Sequence, residues 1–102
     1  MSEEKYNENI KQFAHSNTEQ YNILKVCEES TETQEKLLKY LTKSKEYKPK
    51  IEDIVEEIGD LELRLEFLKE LWKIEKAVQE RKVYKLKKLV KYREEGKYIG
   101  GN

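Results

Sequence analysis

Apolar residues recur along this chain at spacings of three and four, the period of an amphipathic helix. Nowhere do they alternate with polar residues as a half-buried strand requires. The pattern predicts four helices. The first runs from Glu4 to His15 within a polar N-terminal segment, residues 1–17, with Tyr6, Ile10, Phe13 and Ala14 on its apolar side. Ser16, Asn17 and Thr18 offer capping oxygens for the next start. The second runs from Thr18 to Lys43, with a core stripe of Ile23, Cys27, Ser30, Gln34, Leu37 and Leu41, helped by Val26 and Leu38. Pro49 suits the first turn of a third helix, predicted over Pro49 to Ala77. Its first half carries one stripe, Ile51, Ile54, Val55 and Ile58. From Leu61 to Ile74 it is apolar nearly all round, so it needs cover on every side, and a subunit interface is expected there. The fourth helix runs from Gln79 to Glu95 and stops at Gly96. Residues 97–102 are expected to form a loose tail. The fold class is therefore all-α, one domain over residues 1–102.

Within this frame the chain echoes itself. Ile23, Val26, Cys27, Glu28, Glu29 and Glu32 recur as Ile51, Ile54, Val55, Glu56, Glu57 and Asp60. Glu29 and Glu32 are three apart, as are Glu57 and Asp60, so each pair is adjacent on its helix surface. Each keeps the same angular offset from its apolar stripe. Antiparallel packing through those stripes would bring four carboxylates to one seam. Like charges beside an apolar seam are unfavourable, and a hard divalent cation relieves them. Mg²⁺ prefers oxygen ligands and keeps positions for water and phosphates. Glu28 and Glu56, beside the pairs, could hold a second ion or orient a water. Gly59 inside the third helix costs roughly 1 kcal/mol against alanine, which suggests a close backbone approach. Solvated acidic faces, common in a chain with 41% charged residues, are the competing reading.

Glu28, Glu29 and Glu32, followed by the run Glu56, Glu57, Ile58, Gly59, Asp60, Leu61, resemble the EExxE…EExxD signature of MazG-like nucleoside triphosphate pyrophosphohydrolases. The likeness spans roughly residues 18 to 96. It implies a four- to five-helix bundle of the all-α NTP pyrophosphatase type, completed by assembly into a dimer or tetramer. It implies Mg²⁺-dependent cleavage of NTPs or dNTPs to a monophosphate and pyrophosphate, with Glu29, Glu32, Glu57 and Asp60 as metal ligands. Thr33 stands where that family usually has a small apolar or aliphatic residue, and Glu62 where an apolar one is common.

Residues 81–93 hold seven basic residues and no acidic one. Lys85, Lys88 and Tyr92 share one side. In MazG-like proteins a late helix often carries K-x-x-[R/K]-x-x-x-R toward phosphates; Lys85 and Lys88 match, and Tyr92 replaces the last basic residue. Gln20, Tyr21 and Asn22, upstream of the first motif, are the candidates for a base-side pocket wall. The alternative is a non-enzymatic helical oligomer whose basic helix binds nucleic acid or an acidic partner. Balanced charge, 21 basic against 21 acidic, argues against nucleic acid.

Remaining features narrow the class. Cys27 is the sole cysteine, which rules out an internal disulfide and points to a reducing compartment. There is no apolar leader after Met1 and no bilayer-length apolar run, so a cytoplasmic protein is expected. His15 stands alone in a polar segment, and no His/Cys set suits zinc.

Overall fold

The computed structural model describes residues 1–97. It contains four α-helices: α1 (Glu3–Ser16), α2 (Glu19–Thr42), α3 (Ile51–Trp72) and α4 (Glu75–Glu94). No strand is present among the described residues. The first helix starts where the Ser2 hydroxyl accepts the Lys5 amide at 3.1 Å, and α2 where Thr18 accepts Tyr21 at 3.0 Å. Each bond satisfies an amide that helical geometry would otherwise strand. Before α3, the Asp53 carboxylate accepts the Lys50 amide at 2.9 Å. Pro49 therefore lies just ahead of the helix rather than in its first turn.

The expected third helix, Pro49 to Ala77, is interrupted. Helix α3 stops at Trp72 and α4 begins at Glu75. Lys73 takes a left-handed conformation, φ 55°, which costs a side-chain-bearing residue roughly 1–2 kcal/mol. Trp72 is held across the fold, its indole N–H donating to Glu19 Oε2 at 3.0 Å. The break separates two compact units, one of Met1–Trp72 and one beginning at Lys73. The described part of the second is α4 and its C-terminal turn, closed by Gly96 at φ 72°. Beyond Lys97, the tail expected from the sequence lies outside the described residues.

In the first unit α3 packs against both α1 and α2. Its core is small: Ala14, Ile54 and Phe67 are the buried apolar residues, joined by buried Asn22, Thr33 and Glu70. Phe13 stacks on Phe67 with ring centroids 5.8 Å apart. Two further ties join α1 to α3: Tyr6 donates to Glu66, and His15 Nε2 lies 3.4 Å from Glu70 Oε1.

The inner face of α2 differs from the sequence expectation. Asn22, Val26, Glu29, Thr33, Lys36 and Tyr40 are buried or half-buried; of the expected stripe Ile23 is half-buried, whereas Cys27, Ser30, Gln34, Leu37 and Leu41 are exposed. The seam is thus displaced by one residue, about 100° of helix rotation. On α3 the matching inner row is Ile54, Glu57, Leu61, Arg64, Leu68 and Leu71. The two helices run antiparallel, as the pairings of Thr33 with Glu57 and Glu19 with Trp72 require. The rows one residue beyond the seam therefore share one side: Cys27, Leu37 and Leu41 with Ile51, Val55 and Ile58. All six are exposed, Leu41 by 77% and Val55 by 63%. The stretch expected to need cover all round is mixed: Phe67 is buried, Leu61, Leu68, Leu71 and Ile74 are half-buried, and Leu63, Leu65 and Trp72 are exposed.

Candidate metal centre

The seam between α2 and α3 is pinned by one hydroxyl. Thr33 Oγ1 lies 2.7 Å from the Glu29 carbonyl oxygen on its own helix and 3.2 Å from the Glu57 carbonyl oxygen on α3. It shares its proton between them. Valine is nearly the same size but could make neither bond. The contact sets the register of the two helices, and that register brings the echoed acidic segments side by side.

The result is a carboxylate cluster. Glu29, Glu57 and Asp60 each present one oxygen, all within 4.8 Å of one another. Glu29 and Glu57 are half-buried and Asp60 is exposed. Oε2 of Glu29 and Oε2 of Glu57 are both buried with no hydrogen-bond partner. Burial pushes the Glu29 carboxyl above its ordinary range. The charge of Glu32, a hydrogen bond with Glu32, and the charges of Asp60 and Glu28 add to the rise. At an effective dielectric near 20, two full charges 4.8 Å apart repel by about 3 kcal/mol. Three carboxylates on two helices, two of them with a buried oxygen that lacks a partner, form a set suited to a hard cation such as Mg²⁺.

Of the four ligands expected, then, three meet directly, and Glu32 lies close enough to Glu29 for its charge to raise the Glu29 carboxyl. Glu28, Glu32, Glu56 and Asp60 lie one residue before the seam. That places them on the side opposite the exposed apolar rows. Glu28 accepts an ion pair from Lys25 at 3.2 Å, and Glu56 is exposed. Gly59 does not serve close approach: a Cβ built there would meet nothing within 4 Å. Asn22 is 2% exposed and donates to the Ala14 carbonyl at 3.0 Å. It ties α1 to α2 instead of lining an accessible wall, while Gln20 and Tyr21 are exposed. In the second unit, Lys85 and Lys88 are both exposed, the Lys88 ammonium lying 5.7 Å from the Tyr92 ring centroid.

Two cations beside the cluster escaped the sequence reading. Lys25 Nζ lies 5.5 Å, and the Arg64 guanidinium 6.0 Å, from the centroid of the Tyr21 ring. Arg64 also lies 5.8 Å from the Phe67 centroid. The hydrogen bond to Glu28 is the main reason the Lys25 ammonium is held above its ordinary pKa, and Arg64 works against it. The signal was present in the spacing: Arg64 is one turn after Asp60 and two after Glu57.

Compared with known proteins, the chain matches no family model, no curated protein and no solved structure.

Proposed function

We propose that this protein is a Mg²⁺-dependent nucleoside triphosphate pyrophosphohydrolase, cleaving (d)NTP to (d)NMP and pyrophosphate. The observation that carries the reading is the meeting of Glu29, Glu57 and Asp60 with two buried, unpartnered carboxylate oxygens. Isolated carboxylates do not hold such positions without compensation. Glu29, Glu57 and Asp60 would hold the ion, with Glu32 completing the set. Bound there, Mg²⁺ supplies positive charge for phosphate oxygens and lowers the pKa of water. Glu28 and Glu56, on the same side of the seam, orient the attacking water and accept its proton. Attack falls in line on the α–β linkage. Lys85 and Lys88 neutralise phosphate charge, a role supported by the sequence alone. The enzyme works as a dimer or tetramer in the cytoplasm; the exposed apolar rows on α2 and α3 support assembly.

The test is pyrophosphate release from a panel of NTPs and dNTPs with Mg²⁺. Turnover by the wild type that vanishes in a folded Glu57→Gln variant supports the assignment; undiminished turnover in that variant refutes it. A second reading is favoured by α4, which has no buried residue and exposes its whole basic run. In that reading the helix docks an acidic partner or nucleic acid, and salt-sensitive, metal-independent binding would identify it.

A further inference from the structure

We infer that Arg64 and Lys25 form a phosphate-binding edge of the carboxylate cluster, a role that rests on the pyrophosphohydrolase reading. Lys25 lies one turn before Glu29, and Arg64 lies one turn after Asp60. On antiparallel helices those displacements point the same way, so both cations flank the cluster at the same end, each about 6 Å along its axis. They come from different helices and share one aromatic ring, Tyr21. Two like charges near one ring repel each other, and an anion that reaches both offsets that repulsion.

Arg64 is the more telling of the pair. It is half-buried on the inner row of α3. Among the described residues no carboxylate lies within 4.0 Å of its guanidinium, although the chain carries 21 acidic residues. Its five N–H donors form a planar fork that fits the oxygens of a phosphate, and its guanidinium lies 6.0 Å from the Tyr21 and 5.8 Å from the Phe67 ring centroid. Lys25 is already paired with Glu28, so it contributes as a mobile point charge that can change partner. The site thus has two halves, three carboxylates for a cation and two cations for the anion that accompanies it. The ligand class is a phosphate or diphosphate group presented with a divalent metal.

The test uses inorganic pyrophosphate by calorimetry and Mn²⁺ by electron paramagnetic resonance, on the full chain. Wild type is expected to bind both. Arg64→Met should weaken Mg²⁺-pyrophosphate binding at least about tenfold, the loss of one charge-assisted hydrogen bond, and leave Mn²⁺ affinity unchanged. Lys25→Met should weaken it less, and Arg64→Lys should recover part of the loss. The salt dependence of binding should flatten in both Met variants. A folded Arg64→Met variant that binds pyrophosphate like wild type overturns the inference while leaving the metal reading intact. Absence of Mn²⁺ binding in wild type sinks the metal reading instead. Metal-free pyrophosphate binding that Arg64→Met abolishes would then still support the cation pair, and its absence would overturn that as well. Should Arg64→Met fail to fold, Arg64→Lys and Lys25→Met carry the same comparison.

Discussion

Replacing Glu57 by glutamine should make the metal-free protein more stable, even as it destroys the proposed activity. The charge on Glu57 sits within 4.8 Å of both Glu29 and Asp60; the half-buried Glu29 pair opposes folding by up to about 3 kcal/mol, and the pair with exposed Asp60 one turn along the same helix by only a few tenths. Protonation of Glu29, favoured by its burial and by Glu32, already relieves part of that repulsion. The amide that replaces the buried Oε2 must find a partner or lose about 1–3 kcal/mol. The expected net gain is about 1–2 kcal/mol, or several degrees in Tm for a chain of this size. Urea and thermal unfolding, each with EDTA and with excess Mg²⁺, measure it. Wild type should gain about 2.7 kcal/mol at a hundredfold excess over Kd, and the variant should gain far less. If Glu57→Gln is less stable than wild type in EDTA and Mg²⁺ shifts neither protein, the cluster is not a strained cation site and the reasoning fails.

Thr33→Val removes the hydroxyl between the Glu29 and Glu57 carbonyls; it should cost about 1–2 kcal/mol in urea titrations and weaken Mn²⁺ binding by loosening the register. The raised pKa of Glu29 means the folded chain holds its proton to higher pH than the unfolded chain does. That contribution is complete below the ordinary carboxylate value and disappears as pH rises through the folded one. The stability difference between wild type and Glu29→Gln, followed from pH 4 upward in EDTA, should therefore shift against wild type; an opposite slope contradicts the assigned cause. Lys85→Met with Lys88→Met should raise KM for a triphosphate more than it lowers kcat, and unchanged kinetics would remove both lysines from the site. Val55→Glu should dissociate the proposed assembly in sedimentation velocity, because it places a charge in the exposed apolar row; an unaltered sedimentation coefficient would show that the subunits meet elsewhere.

The helices were readable where a capping side chain marks the start, as Thr18 does for α2. The end of α3 was not, because Lys73 occupies a left-handed conformation that glycine usually signals. The α2 stripe was misplaced by one residue for a chemical reason. Hydrophobic pattern points to the greasiest face, yet the inner face of α2 carries Asn22, Glu29 and Thr33. Leu37 and Leu41, which drew the reading, lie outside it. The acidic pairs survived the error because a matched rotation on both helices still leaves the echoed carboxylates adjacent. Arg64 went unseen because an arginine among leucines reads as a snorkelling surface residue; only the structure shows its guanidinium between 5.8 and 6.0 Å from the Tyr21 and Phe67 ring centroids.

The threonine at the centre of the seam also constrains what this pair of helices can become. The bond to Glu29 stays within α2, but the bond to the Glu57 carbonyl works at one axial offset only, so sliding either helix by a single residue would break the one polar tie across the seam that this hydroxyl makes. Greasy contacts tolerate such slippage far better. Its polar clasp thus behaves as an index pin, fixing where the chemistry sits while leaving the outer flanks free to change with little consequence for the geometry between them.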